Sequence, residues 1–205
     1  MDWKDGIDGN CASETEEMIV NNVRAGFLSN KEILDDCMDY IRESYPEEKD
    51  KITSDVLAGV IAGCREKYKG DGRQENFLKL KLAFENIRRH GIITQHCAGY
   101  ILSDGCDDCN ELAYMLMDNG VEVTGYCFYT MQDVERLIRF GTGSPLYLAF
   151  GNYPDDVTPE EIGQIIVKEL ESAGFSTEWN NSADTRIAIE NMVWDKEYNS
   201  EREKG

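Results

Sequence analysis

Proline is scarce in this 205-residue chain, at four, and histidine scarcer, at two. So few prolines exclude a collagen-like or proline-rich chain, and a hydrophobic share of 41% excludes a disordered one. With two histidines, a Cys–His or Ser–His catalytic couple has to draw on His90 or His96. Long apolar runs are missing: the longest hold about five residues, against the roughly 20 that a membrane-spanning helix needs. The opening Met-Asp-Trp-Lys-Asp-Gly is acidic and polar, so no signal peptide is expected and the chain reads as soluble and cytoplasmic.

Basic residues are the next shortage. Forty Asp and Glu face 21 Lys and Arg, a formal net charge of −19. The excess is uneven: residues 1–90 hold 19 acidic and 14 basic groups, residues 91–205 hold 21 and 7. Such an acidic back half repels phosphate backbones, so neither nucleic acid nor an anionic membrane is an expected partner. Two readings of the charge stand side by side. It keeps the protein in solution, or it docks a basic protein partner.

Seven cysteines (11, 37, 64, 97, 106, 109 and 127) are an odd number in a chain without an export signal, which points to free thiols. Cys37, Cys64 and Cys127 sit in apolar patterns and read as small hydrophobes. The remaining cluster, His96-Cys97 followed by Cys106-x-x-Cys109, has metal-like spacing. A Cys-x-x-Cys turn offers two thiolates to one tetrahedral zinc ion, and His96 or Cys97 would supply a third ligand. The alternatives are a redox dithiol, which Asp107 and Asp108 between the thiols oppose, and ordinary buried thiols.

Along the chain, apolar residues first recur at helical spacing. Ser13 with Glu16 and Ser29 with Glu32 match a capping box, in which hydroxyl and carboxylate satisfy the first amides of a helix. Two further helices carry Val56–Tyr68 and Phe77–Ile87, the second closed by Arg88, Arg89, His90 and Gly91. Beyond Gly91 strands alternate with helices. Strands are predicted over Ile92–Thr94, Val121–Tyr129, Leu146–Phe150, Phe175–Trp179 and Arg186–Ile189. Helices are predicted over Asp107–Asp118, Gln132–Phe140 and from Thr158 to Gly174. The predicted fold class is α+β: a layer of about four N-terminal helices packed beside an α/β sandwich with a mixed four- to five-stranded sheet. The expected organisation is a flexible lead (1–12), a helical subdomain (13–91), an α/β subdomain (92–195) and a frayed charged tail (196–205).

Gly125-Tyr-Cys-Phe-Tyr-Thr-Met-Gln-Asp133 is followed by Leu146-Tyr-Leu-Ala-Phe-Gly151. With Ile162-Gly163, Leu170, Ala173-Gly174-Phe175, Trp179, Arg186 and Trp194, this pattern resembles an uncharacterised, mostly bacterial domain-of-unknown-function family. The similarity spans roughly residues 20–195. Members of that family carry a compact Cys-Cys-x-x-Cys-Gly element, which an inserted loop between Cys97 and Cys106 interrupts here. The resemblance implies a fold and lends no activity.

Other chemical motifs are incomplete. Gly141-Thr-Gly-Ser144 lacks the lysine of a phosphate-binding loop, and no Gly-x-Ser-x-Gly elbow occurs. Thr130 and Asp133 read as a helix cap, or as a polar pair at a strand's carboxyl end, where open α/β sheets bind ligands. In the second case Tyr126, Tyr129, Gln132, Asp133, Tyr147 and Arg186 would line an aromatic pocket with one cation. Trp179 and Trp194 read as core edges. The composition favours a non-catalytic interaction protein whose acidic face meets a basic partner, immunity- or antitoxin-like by analogy. The alternative is a metal-assisted or thiol enzyme, or a binding module with structural zinc, on His96, Cys97, Cys106 and Cys109. No other cofactor is expected.

Overall fold

The computed structural model describes residues 3–141, 143–154 and 156–199. Thr142 of the glycine-rich connection and residues 200–205 of the charged tail lie outside the described residues. The chain divides into two compact units, Met1–Gln74 with Asp195–Gly205, and Glu75–Trp194.

In the first unit α1 (Gly9–Ala25), α2 (Asn30–Ser44) and α3 (Ser54–Lys67) pack on one another through Ile19, Ile33, Cys37, Ile41, Leu57 and Ile61. The capping box of α2 forms between Ser29 and Glu32. That of α1 does not form at Ser13, which lies inside the helix. Asp8 caps instead, accepting from the amides of Asn10 and Cys11, because Cys11 and Ala12 are core residues and the helix must start a turn earlier to bury them. The returning segment lies against this unit: Lys196 donates to the Gly26 carbonyl, and the Glu197 carboxylate accepts from the Gly72 amide.

The second unit is built on a mixed five-stranded sheet, so the fold is α+β. Its strands are β1 (Ile92–Gln95), β2 (Gly125–Phe128), β3 (Leu146–Asn152), β4 (Ser176–Glu178) and β5 (Ile187–Glu190), in the order β1-β2-β3-β5-β4. Only β1 and β2 are parallel, with Ile92 opposite Gly125. The other pairs are antiparallel. The nine-residue strand expected over Val121–Tyr129 contributes only its middle to the ladder. At one end the Thr124 amide is taken by the Gly91 carbonyl, and at the other the Tyr129 carbonyl by the Ala98 amide.

Side-chain alternation divides the sheet into two covered faces. α4 (Glu75–Arg88) and α7 (Pro159–Ser172) cover one, where Thr94 donates to the Phe84 carbonyl and Ile162 abuts Gly125. α4 thus belongs to the sheet unit and packs beside β1. The apolar face of α4 is completed by Leu80, Phe84 and Ile87, all fully buried. α5 (Leu102–Asp118) covers β1 and β2 on the other face, and α6 (Met131–Phe140) covers β3. There Gly105 lets α5 settle directly on the Phe128 ring. α7 begins as its sequence dictates, with Thr158 as N-cap, Pro159 at the first position and Glu161 closing the box.

Candidate functional site

The four residues with metal-like spacing land in three places. Cys106 and Cys109 lie within α5 at i and i+3 and so share a face. Cys109 is fully buried against Ile93, Ala113 and Phe128, and that burial pushes its thiol up to about 12. Cys106 is half-buried and hydrogen-bonded to the Tyr126 hydroxyl, which burial in turn pushes up to about 12. His96 turns the other way, stacked on Phe84 at 4.5 Å, with Nδ1 at 2.9 Å from the Tyr129 hydroxyl. Cys97 has a left-handed backbone, φ 55°, which swings its thiol onto the Met131 sulfur at 3.6 Å. His96 and Cys97 point apart because neighbouring side chains off a strand end diverge, and the left-handed residue widens the split. Among the described residues no group of three or more His, Cys, Asp or Glu is placed to hold a metal ion, so the zinc centre suggested by the spacing is not assembled.

These thiols make a measurable contrast. Iodoacetamide at about pH 8 is expected to alkylate Cys106 at least about tenfold faster than Cys109, because the thiolate is the nucleophile. Peptide mass spectrometry over a time course reads this, and equal rates would contradict the burial. Cys37, also pushed up to about 12 by burial, behaves as Cys109 does. The linkage has a definite sign. An unfolded thiol ionises near the ordinary 9.0 and the folded one near 12, so the stability these groups contribute is complete below 9.0 and drains away as pH rises to 12.

The six residues of the expected aromatic pocket separate as well. Tyr126 lies under α5 beside Phe128 and Tyr153. Tyr129 is fully buried and faces His96. Gln132 is exposed on the first turn of α6. Asp133, Tyr147 and Arg186 do converge, and Arg136 joins them. Asp133 is 1% exposed. Its carboxylate accepts from the Thr130 amide and hydroxyl, and from Arg186 Nη1 at 3.0 and 3.1 Å. Arg136 Nη1 lies at 3.4 Å. Both guanidiniums sit over the Tyr147 ring, Arg186 at 4.8 Å and Arg136 at 5.4 Å from its centroid. The helix cap, one of two alternatives read from sequence, is formed by the Asp133 carboxylate, which also anchors Arg186. Arg136 was legible only as the i+3 neighbour of Asp133; that it faces the same ring depends on α6 crossing β3. Trp179 packs edge-on to Phe150 and over Gly163, and Trp194 against Phe77 and Tyr129, both at core edges.

The charge has a definite location. From Gly91 through Glu135 the chain carries no Lys or Arg. α5 lies wholly within that stretch and presents Asp107, Asp108, Glu111 and Asp118 to solvent. None of the four takes part in an ion pair among the described residues. On the same exposed side Tyr114 is 64% and Met115 55% exposed. Asp107, Glu111, Tyr114 and Asp118 follow one another at i, i+4, i+7 and i+11, one stripe of the helix. A shallow depression of about 440 Å³ elsewhere, along α7 beside Trp179, brings only Lys168 and Glu171 together as charged groups.

No helix is long and apolar enough to cross a membrane among the described residues. A family model described as Domain of unknown function (DUF6891) matches residues 8–198. No curated protein and no solved structure matches the chain.

Proposed function

The chain belongs to that family of unknown function, and on this premise we propose that it is a non-catalytic, cytoplasmic interaction protein whose acidic α5 face docks a basic protein partner. The observation that carries the reading is the outer stripe of α5, where four unpaired carboxylates flank an exposed tyrosine and methionine. Carboxylates alone serve solubility. Paired with aromatic and thioether surface, which interfaces favour, they match a partner with basic residues around an apolar centre. Uncompensated charge of one sign steers such a partner during encounter and loses its reach as salt shortens the Debye length. The thiol and zinc alternatives draw no support from the separated positions of His96, Cys97, Cys106 and Cys109.

The test compares wild type with the variant D107N/D108N/E111Q/D118N, which removes four charges without changing side-chain shape. Proteins retained by the immobilised chain at about 0.05 M and about 0.5 M salt are identified and their binding is then titrated. Basic proteins bound at low salt, weakened at least about tenfold in the variant, are the expected result. Retention indifferent to both salt and variant overturns the reading.

A further inference from the structure

We propose that Arg186, Arg136 and Tyr147 form a binding site for an oxyanion, a phosphate or carboxylate group carried by a small ligand. A guanidinium carries five N–H groups in a rigid fork. Arg186 uses Nη1 alone, on Asp133, and among the described residues its Nε and Nη2 meet no protein acceptor. Those two nitrogens form the side-on edge whose parallel N–H bonds match a carboxylate or a phosphate. Arg136 likewise commits only Nη1, at 3.4 Å.

Charge points the same way. Two guanidiniums face one buried carboxylate, leaving a local excess of one positive charge in a chain of net −19. The pair is held in place. Asp133 is fixed by Thr130 at the α6 cap and anchors Arg186, and Tyr147 supports both planar groups from the sheet. The guanidinium side chains are 28% and 37% exposed, buried enough to be oriented and open enough for a ligand to reach. A preorganised fork loses little entropy on binding, which separates it from flexible surface lysines. The site lies apart from the acidic α5 stripe in function: it takes a small anion, and the stripe takes a cationic surface.

The test titrates the full-length protein with sodium phosphate and, separately, with sodium acetate at constant ionic strength, following by NMR the backbone amide resonances of position 186 and of Tyr147, which every variant retains. A saturable shift at millimolar concentration with either anion is expected, and the two arms show which oxyanion the fork prefers. Arg186→Lys keeps the charge and removes the fork, and is expected to weaken binding about tenfold or more. Arg136→Gln leaves the buried Arg186–Asp133 pair intact and is expected to weaken it by a smaller factor. Lys168→Gln, on α7, is the unchanged control. Melting curves confirm that each variant is folded. No saturable shift with phosphate or acetate overturns the proposal, as does a shift that survives undiminished in both arginine variants.

Discussion

Replacing Arg186 by alanine is expected to destabilise the Glu75–Trp194 unit by about 3 kcal/mol or more, because it leaves a buried carboxylate short of its main counter-charge. Asp133 is 1% exposed and Arg186 Nη1 reaches both of its oxygens. Arg136 at 3.4 Å and the Thr130 donors remain after the change, which keeps the loss nearer the low end for a buried pair broken on one side. The two-sided variant separates charge from packing. In D133N/R186A no buried charge is left over, and the asparagine amide oxygen still accepts from the Thr130 amide at the α6 N-cap, so the double variant is expected to be more stable than R186A alone. Urea denaturation of the two single variants and the double variant measures this cycle. A loss below about 1 kcal/mol for R186A would mean that Thr130 and Arg136 satisfy the carboxylate unaided.

Gly125→Ala is the second large effect, about 2–3 kcal/mol destabilising. A Cβ at this position would run into the Gly151 carbonyl oxygen and would stand 2.9 Å from Cδ1 of Ile162. Relief by backbone movement is blocked, since Gly125 is held by Ile92 on one side and Asn152 on the other. Trimming Ile162 to valine in the same chain removes the side-chain part of the clash and is expected to recover only part of the loss. The same substitution at Gly59, in α3 with nothing within 4 Å of the added carbon, is expected to stabilise by about 0.5–1 kcal/mol through helix propensity. Thermal melting of the two glycine variants side by side checks the contrast. Equal effects would remove the steric account.

The difference between these two glycines is the difference between what sequence shows and what it hides. Helix positions were legible because 3.6-residue periodicity and caps are local: Ser29–Glu32, Thr130–Asp133 and Thr158–Glu161 all close as capping boxes. The alternation of strands with helices after Gly91 was legible for the same reason, and with it the α+β class and a mixed sheet. The resemblance to a domain-of-unknown-function family was carried by the order of short segments, and the family match spans residues 8–198.

What the sequence by itself determined, then, is the succession of elements, the acidic excess and the free thiols, all properties of neighbours along the chain. Tertiary structure alone decided which distant groups meet. The Cys-x-x-Cys spacing says nothing about where His96 turns, and it turns to Phe84 because a left-handed Cys97 and the α4 face leave it no shared side with α5. Asp133, Tyr147 and Arg186 were grouped from the sequence, but Arg136 was not, and it is the order β3-β5 and the crossing of α6 over β3 that bring two guanidiniums onto one ring. Helix capping needs only a few adjacent residues, whereas a site needs strand order and crossing geometry, and these follow from burying both faces of the sheet at once.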